Sequence, residues 1–528
     1  MSRLIFKPPL FRLAASILSG ILLVLVFPLP NLPLLVWIAC IPLILAVITE
    51  RRLGLAFLWG LVTGAVFLTG SLYWFVGVME NYGSLTLFEA SAAMLLFLAL
   101  FTPFWGVFAL LEAWVARRSR RLALLLSPFL WVALELARTY LFTGFPWNLL
   151  GYAVAAKGLE QIASVTAVYG LSFLTVATSA LLCWVLVEPR LGAARVTTVI
   201  WIVFLLVLNF ALGPPPVSKG RHLAVLIQPN VPLTEAAVEA WAPWRNPGPL
   251  RNLVNLSVKT IREHERKGSE PPLIVWPENS APFFFNRDPI FRGAVETMAR
   301  QAHAYVVVNT VTFIGSGTSR PQNTAVMLNP AGNVILEYHK IHLVPMGEYV
   351  PGWLHFTHMG KITSEVGDFV PGAGYNVAET PEGGFGIFIC YEAIFPQLVR
   401  HLTPPGPGVL VNISDDAWYG KSAARFQHLN MARFRAIENR RYLLRATNDG
   451  ITAVVDPYGR EVAIAPPYRQ TELTADFDFI AHRTFYTDHG DVFAWACVVA
   501  TLIILGAGIA LGLRFRGNDG GAARRTIA

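Results

Sequence analysis

The sequence predicts a polytopic α-helical membrane protein with one large α/β domain inserted before its last membrane span. Of its 528 residues, 54% are hydrophobic and only 14% are charged, and the mean hydropathy is +0.49. Soluble globular proteins are far less apolar than this. Residues 214–490 differ from the rest, because they have mixed charge, no long apolar run and enough length for one large core.

The apolar segments set the predicted number of spans. A transmembrane helix needs roughly 20 predominantly apolar residues. Seven candidate segments precede residue 214, and an eighth covers about 491–513. The seven lie at about 10–27, 32–49, 54–78, 88–115, 122–143, 162–187 and 195–212. We therefore expect a membrane domain of seven transmembrane helices at 1–213, the inserted domain at 214–490, and an eighth helix with a tail at 491–528.

The positive charges predict the orientation. Lysine and arginine are concentrated in alternate loops, at 3–12, 51–52, 117–121, 190–195 and 514–525. Short loops rich in these residues stay on the cytoplasmic side. Both termini are therefore expected in the cytoplasm. Seven spans then put the inserted domain on the far side, which is the periplasm for a bacterial inner membrane. A cleaved signal peptide is not expected, because the second apolar segment follows the first within about five residues.

The charge balance argues against a nucleic-acid partner. Residues 214–490 contain 25 Lys/Arg and 25 Asp/Glu, so the formal charge of +8 belongs entirely to the membrane part. A neutral domain lacks the basic surface that binds DNA or RNA.

The inserted domain is predicted to contain a mixed β-sheet. Short runs rich in Val, Ile and Leu, bounded by turn residues, are typical of strands buried on both faces. They lie at 222–231, 272–280, 305–313, 323–330, 333–343, 384–392, 408–416, 442–449 and 451–457, with a helical pattern at about 423–440. Strands joined by tight turns as well as by helices favour a mixed sheet. The stretches 232–270 and 352–374 do not fit this series, and we expect them to be arms or loops over a site.

Cys390 is a thiol without a disulfide partner in the inserted domain. Cys40, Cys183 and Cys497 lie within apolar runs long enough to cross a bilayer. The sequence GFGIFICYEAIFP puts Cys390 where a buried strand is predicted to end. A lone cysteine is either a small buried hydrophobe or a reactive group, and its position alone leaves both interpretations open.

Two more reactive side chains follow predicted strands. Glu278 comes after LIVWP, and Lys340 comes after VILEYH. Ligands of α/β sheets bind beyond strand ends, so these two groups and Cys390 can converge. A carboxylate in an apolar setting can accept a thiol proton, and a lysine can stabilise an oxyanion. The alternatives are a helix cap or ion pair for Glu278 and a solvated strand-edge charge for Lys340.

No metal and no cofactor are expected. His339 and His342 flank Lys340, but no cysteine or carboxylate completes a ligand set at their spacing. Two further carboxylates, Glu348 and Glu392, are either part of the same site or ordinary surface charges.

Three motifs, in this order, resemble the signatures of the carbon–nitrogen hydrolase (nitrilase) superfamily. They are WPENS, YHKIHLVPMGEYVP and ICYEAIFP. Other segments resemble the membrane branch of that superfamily, the apolipoprotein N-acyltransferase family. These are FPWNLLGY, NISDDAWYG, HLNMARFRAIENRR, LRATNDGITAVVDPYG and TFYTDHGDVFAW. The resemblance extends over nearly the whole chain and is weakest at 232–270. Asp415 departs from the family pattern, which usually has asparagine there.

The resemblance implies a fold and a set of residue roles. The inserted domain would be an αββα sandwich. Cys390 would be the nucleophile, Glu278 the general base and Lys340 the stabiliser of the oxyanion. Supporting roles are implied for Glu348 beside Lys340, for the backbone N–H of Tyr391 at the oxyanion, for Glu392, and for Trp418 in the substrate pocket.

The implied reaction is a two-step acyl transfer with ping-pong kinetics. The donor would be a phospholipid, the carrier a thioester on Cys390, and the acceptor the free α-amino group of an N-terminal diacylglyceryl-cysteine on an apolipoprotein. The expected partners are these two substrates and the lipid bilayer, and the expected oligomeric state is a monomer.

Two other functions are alternatives to this one. A membrane-tethered amidase with the same three residues would hydrolyse small amides, and it would need a polar pocket open to water. A transporter or sensor is disfavoured, because the spans carry few charges, chiefly Glu112, Glu135 and Arg138.

Overall fold

The chain folds into two compact units. A computed structural model describes residues 9–216, 220–231, 246–264, 270–281, 283–315, 320–352 and 368–523, with side chains up to residue 510. The first unit contains the chain up to Tyr73, Ser91–Pro214 and the segment from Asp491 onward. The second unit contains Trp74–Ala90 and Pro215–Gly490.

The amino-terminal part of the chain is helical as far as residue 211. Its helices are α1 (Pro9–Leu25), α2 (Ile41–Ile48), α3 (Leu53–Ser71), α4 (Trp74–Gly83), α5 (Leu87–Phe101), α6 (Pro103–Ala116), α7 (Arg120–Tyr140), α8 (Ala163–Thr166), α9 (Val168–Val187) and α10 (Gly192–Ala211). Within the described residues, six apolar helical segments are long enough to cross a membrane: Leu53–Ser71, Leu87–Ala116, Arg120–Thr143, Val168–Val187, Gly192–Ala211 and Val492–Ala510. The predicted polytopic membrane fold is therefore confirmed. The count of eight stays a prediction, because the apolar segments Pro9–Leu25 and Pro33–Ile48 are shorter.

Two predicted spans have different bounds in the structure. The span predicted at 54–78 ends at Ser71, and the next helix, α4, belongs to the second unit. The span predicted at 88–115 consists of α5 and α6, which meet at Thr102. Pro103 begins α6, since proline fits the first helical turn but lacks the N–H that an unbroken helix would use.

The second unit is built from two six-stranded mixed sheets. The strands are β1 (His222–Gln228), β2 (Leu273–Val275), β3 (Tyr305–Ile314), β4 (Arg320–Leu328), β5 (Val334–His339), β6 (Ala378–Glu379), β7 (Gly384–Ile389), β8 (Gly408–Ser414), β9 (Leu443–Thr447), β10 (Ala453–Val455), β11 (Glu461–Ile464) and β12 (Thr471–Phe477). The strand orders are β12-β1-β2-β3-β4-β5 and β11-β10-β9-β8-β7-β6. Strands β1 to β3 are parallel to one another, as are β7 to β9, and the outer strands are antiparallel. The prediction of mixed sheets is confirmed.

Helices cover the outer faces of the two sheets. The sheets meet where β1 contacts β9. Helices α11 (Gly248–His264) and α12 (Pro289–Ala302) share one hydrophobic core with β1 to β4 of the first sheet. On the second sheet, α14 (Ala424–Asn439) packs on β9, and α13 (Pro396–His401) packs against α14. After α15 (Phe485–His489) the chain enters the last helix, α16 (Val492–Ala523). The layers are therefore helix, sheet, sheet, helix, as expected.

One predicted arm is wrong over most of its described length. Helix α11 lies inside the stretch 232–270 and buries Leu250, Leu253 and Ile261 in the core, so this part is a structural layer of the sandwich. Residues 232–245 and 265–269 lie outside the described residues. The same holds for 353–367 of the second predicted arm, 352–374.

Candidate active site

Glu278 is a buried carboxylate held by donors from two sheets. It lies three residues beyond β2, and only 4% of it is exposed. Its Oε1 accepts a hydrogen bond from Asn323 Nδ2 at 2.8 Å, and its Oε2 accepts one from the backbone N–H of Asp415 at 3.0 Å. Asn323 comes from β4 of the first sheet, whereas Asp415 directly follows β8 of the second. The carboxylate is therefore fixed between the two sheets.

Lys340 lies between two carboxylates. It follows β5 directly and is 1% exposed. Its Nζ is 2.9 Å from Glu348 Oε1 and 3.5 Å from Glu278 Oε1. Burial would lower the pKa of Lys340, but the charges of Glu348 and then Glu278 outweigh burial and raise it. The lysine is therefore a permanent cation, and a solvated strand-edge charge is ruled out.

Glu348 accepts hydrogen bonds from Lys340, Asn323 and the backbone of Val344. Its Oε1 accepts from Asn323 Nδ2 at 3.0 Å as well as from the lysine, and its Oε2 accepts from the backbone N–H of Val344 at 2.7 Å. Asn323 thus donates to Glu348 and Glu278 together. This amide was missed at the sequence level, because it lies inside the apolar run 323–330 and no motif marks it.

Cys390 begins a short helical turn at the end of β7. Residues Cys390–Ile394 form a 3₁₀ turn, and the cysteine has a left-handed φ of 49°. Side chains other than glycine rarely adopt this conformation, and where they do it often marks a functional site. Burial, then the charge of Glu278, raises the pKa of the Cys390 thiol well above its usual value, while Lys340 opposes the rise. All three groups therefore share one electrostatic environment.

Glu392 joins the two strand ends that carry Lys340 and Cys390. It is fully buried, and its Oε1 accepts hydrogen bonds from Tyr338 Oη at 2.8 Å and from the backbone N–H of Ile341 at 2.7 Å. Its Oε2 accepts from the backbone N–H of Ile389 at 2.7 Å. Burial raises the pKa of Glu392 to about 7, although its backbone donors act in the opposite direction. The surface-charge alternative for Glu392 is wrong.

Asp415 lies beside Glu278, to which its backbone N–H donates a hydrogen bond. Its carboxyl group accepts from the backbone N–H of Ala417 at 3.0 Å and lies within 3.3 Å of the amides of Asn279 and Asn448. Burial, then the charge of Glu278, raises the pKa of Asp415 to about 8. At neutral pH the side chain is therefore mostly a neutral carboxylic acid, which resembles the asparagine of the family pattern in charge.

Trp418 lies in a turn that contacts helix α4. The turn Asp416–Tyr419 is partly exposed at Trp418, whose ring packs edge-on against Tyr82 with the centroids 4.9 Å apart. Tyr82 also donates a hydrogen bond to the carbonyl of Ala417 at 3.1 Å. A place in the substrate pocket stays a prediction for Trp418.

Sequence reasoning also missed a buried polar network behind Cys390. Its members are Asn412, Asp416, His428 and Arg445, all fully buried. Three of the segments that carry the family resemblance contain them, but nothing in those segments distinguishes a side chain of the site from one of the core.

The arrangement can perform nucleophilic chemistry at a carbonyl carbon. A fixed carboxylate can take the thiol proton, because an internal transfer from Cys390 to Glu278 leaves the charge of the site unchanged. A buried cation beside them can stabilise the negative oxygen of a tetrahedral intermediate. The three groups come from facing sheets, two from the first and one from the second, rather than from one sheet edge.

The relatives of the chain agree with this chemistry. Residues 19–181 match the profile of the apolipoprotein N-acyltransferase N-terminal domain, and residues 228–483 match that of the carbon–nitrogen hydrolase family. A relative from Geobacter metallireducens, called apolipoprotein N-acyltransferase, is 36% identical over 501 residues, which are 93% of this chain and 94% of the relative. The chain belongs to the apolipoprotein N-acyltransferase family.

Other apolipoprotein N-acyltransferases match at similar levels. The relative from Methylococcus capsulatus is 32% identical over 79% of this chain and 81% of its own. The relative from Chlorobaculum tepidum is 28% identical over 96% of this chain and 98% of its own. Among solved structures, an amidase from Nesterenkonia sp. is 18% identical, with a TM-score of 0.38 over 52% of this chain and 95% of that chain. Membership of the apolipoprotein N-acyltransferase family confirms the predicted cysteine-based acyltransferase and disfavours the amidase.

Proposed function

We propose that this membrane enzyme transfers an acyl chain from a phospholipid, through a thioester on Cys390, to the α-amino group of the N-terminal diacylglyceryl-cysteine of an apolipoprotein. The observation that carries the proposal is the buried contact between Lys340 and Glu278, 3.5 Å apart, in the electrostatic environment of the Cys390 thiol. Family membership supports the two lipid-linked substrates.

The first step forms the thioester. Glu278 takes the proton from Cys390 as the sulfur attacks the ester carbonyl of the phospholipid. The free thiolate is disfavoured, since burial raises the pKa of the thiol, so proton transfer and attack are expected to be coupled. Lys340 and the backbone N–H of Tyr391 stabilise the oxyanion. The C–O bond then breaks, lysophospholipid leaves with the proton from Glu278, and the acyl chain stays on sulfur.

The second step forms the amide. The free amine of the acceptor attacks the thioester carbonyl, and Glu278 removes a proton from the nitrogen. The C–S bond breaks, and the sulfur of Cys390 regains its proton from Glu278. Glu348 holds Lys340 in place during both steps, as their 2.9 Å contact supports. Water has to stay out, because hydrolysis of the thioester would make the enzyme a lipase.

The proposed topology follows from the basic loops. The catalytic domain, 214–490, lies in the periplasm, both termini lie in the cytoplasm, and the helical parts at 1–213 and 491–528 lie in the inner membrane. The protein acts as a monomer. A membrane location suits both substrates, because moving a lipid chain out of the bilayer costs about 0.8 kcal/mol per CH₂ group.

The acyl-enzyme is the direct test. The purified full-length protein is incubated with a phospholipid of known acyl mass, and its intact mass is measured over time. We expect wild-type protein to gain one acyl increment and to lose it when a diacylated peptide with a free amino terminus is added. Cys390→Ala should gain none. Glu278→Gln should acylate slower by roughly 10²- to 10⁴-fold.

Glu296→Gln is the matched control, since Glu296 forms a helix-surface ion pair with Arg292 and should leave the rate unchanged. The proposal would be contradicted by a wild-type protein that stays unmodified by phospholipid yet hydrolyses a small amide.

A further inference from the structure

The carbonyl group of Cys390 is held by a fully buried histidine. His428 lies on α14, and its Nε2 is 3.1 Å from the Cys390 carbonyl oxygen. A carbonyl oxygen only accepts hydrogen bonds, so Nε2 carries the hydrogen and donates it. The other ring nitrogen, Nδ1, lies 2.9 Å from Asp416 Oδ1 and 3.1 Å from Arg445 Nη2. The ring is therefore fixed at both ends.

Asp416 is itself fixed by two donors. Its Oδ1 accepts from Ser414 Oγ at 2.8 Å, and its Oδ2 accepts from Arg445 Nη2 at 2.7 Å. Arg445 Nη2 also faces His428 Nδ1, which is the acceptor nitrogen of a ring that carries its hydrogen on Nε2. The charge of Arg445 outweighs the effect of burial and holds the pKa of Asp416 below its usual value. Removing one partner of a buried ion pair leaves an unpaired charge in the core, so Asp416 and Arg445 depend on each other.

A second branch of the network runs from Arg445 through Asn412 to the backbone of β7, the strand that precedes Cys390. Arg445 Nη1 donates to Asn412 Oδ1 on β8. Asn412 Nδ2 donates to the carbonyl of Phe388 on β7 at 3.2 Å. The network thus closes on two carbonyls of one strand end, those of Phe388 and Cys390, which are two residues apart.

The backbone of Cys390 needs such support. Its φ of 49° is unfavourable for a side chain with a Cβ, and a conformation of this kind persists only when its surroundings fix it. The same φ sets the direction of the thiol and of the following Tyr391 N–H. A small rotation here would move both reacting groups away from the substrate carbonyl.

We propose that His428, fixed by Asp416 and Arg445, is a positioning residue that holds Cys390 in its left-handed conformation for attack. The inference rests on the proposed acyl transfer. It assigns to this network a role in the rate of the chemical step and none in the binding of lipid.

The test compares two substitutions at one position. His428→Gln keeps an N–H that can reach the Cys390 carbonyl, whereas His428→Leu has similar bulk and no donor. In full-length protein, the acylation rate of Cys390 is measured by intact mass at several concentrations of one phospholipid. We expect His428→Leu to lower the maximal rate by roughly 10- to 100-fold, as for a misplaced reacting group, with the half-saturating lipid concentration unchanged. His428→Gln should recover most of that loss.

The controls distinguish a failure of the positioning role of His428 from a failure of the proposed acyl transfer. Asn430→Leu, a polar-to-leucine change on the same helix, should leave the rate unchanged. Equal maximal rates for His428→Leu and wild type would overturn the positioning role, as would a change confined to the half-saturating concentration. An unmodified wild-type protein would instead overturn the proposed function. If neither variant at 428 folds, the nearly isosteric Asp416→Asn decides the matter, and a wild-type acylation rate in that variant overturns the inference.

Discussion

At the scale of single residues, two oxygens organise the site. Glu278 Oε1 and Glu348 Oε1 each face both Asn323 Nδ2 and Lys340 Nζ. Two carboxylates and one lysine give this cluster a net charge of −1. Forming a thiolate at Cys390 would add a second negative charge, unless the thiol proton moves to a carboxylate of the cluster. This favours a mechanism in which Glu278 takes the thiol proton directly.

Asp415 provides a pH test of that charge balance. The backbone N–H of Asp415 donates to Glu278, and the pKa of its own side chain is about 8. Below pH 8 the side chain is mostly neutral, and above pH 8 it adds a second negative charge beside that of Glu278. We expect wild-type acylation to slow as the pH rises through about 8, because the added charge disfavours the oxyanion. Asp415→Asn cannot ionise and should lack this decline.

The measurement is the rate of acyl-adduct formation between pH 6 and pH 9.5 in both proteins. Asp478→Asn serves as the control, since Asp478 pairs with Arg221 at the surface and should keep the wild-type profile. The same alkaline decline in Asp415→Asn and wild type would contradict the assignment.

The three reactive side chains could be predicted from the sequence, but most of their partners could not. Glu278, Lys340 and Cys390 each follow a strongly apolar strand, which makes them visible in the chain. Asn323 reaches the site only through the register that pairs β4 with β5, and His428 only through the packing of α14. Both depend on contacts between distant segments, which no local pattern records.

At the scale of elements, burial decided which strands were predictable. Strands β3, β7 and β8 are nearly continuous apolar runs, and their predicted bounds agree with the structure within a few residues. Strand β12 has the polar sequence TELTADF and pairs with β1 about 250 residues earlier, so nothing local identifies it. Helix α11 lies within the predicted arm 232–270, although its buried leucines and isoleucine recur with helical spacing.

Close helix packing in the first unit depends on glycine. A Cβ at Gly60 of α3 would lie 2.1 Å from the backbone oxygen of Trp105 on α6, whereas a Cβ at Gly54 of the same helix meets nothing within 4 Å. Backbone atoms cannot move aside as a flexible side chain can. We expect Gly60→Ala to destabilise the protein by about 1–3 kcal/mol through overpacking.

Thermal unfolding of the two detergent-purified variants measures this difference. Gly54→Ala is the matched control and should keep or slightly raise the wild-type midpoint, since alanine is the better helix former. Equal midpoints for the two variants would show that α3 and α6 are not packed so closely.

At the scale of the whole molecule, composition separated most of the membrane part from the catalytic part. The exception is Trp74–Ala90, which lies between apolar helices in the sequence but belongs to the second unit. Its contacts explain this, because the ring of Trp74 packs against Tyr419, 5.0 Å between centroids, and Tyr82 packs against Trp418. Hydropathy reports how apolar a segment is and carries no information on what it packs against.

The orientation of the chain can be tested with thiol labelling, because its four cysteines are all buried and should give little background. Glu461→Cys introduces an exposed thiol in the second unit, and Arg190→Cys introduces one in the basic segment between α9 and α10. With a membrane-impermeant maleimide, we expect Glu461→Cys to label in intact spheroplasts. Arg190→Cys should label only after the membrane is permeabilised, since loops rich in arginine stay in the cytoplasm.

The wild-type protein, treated in the same way, measures any reaction of Cys390 itself. Labelling of Arg190→Cys in intact spheroplasts, with Glu461→Cys protected until permeabilisation, would reverse the topology. The proposed thioester on Cys390 would then have to form on the cytoplasmic side, where the acceptor amine would have to be presented before export. The two exposed positions therefore decide which leaflet supplies the acyl donor, and they do so without any measurement of activity.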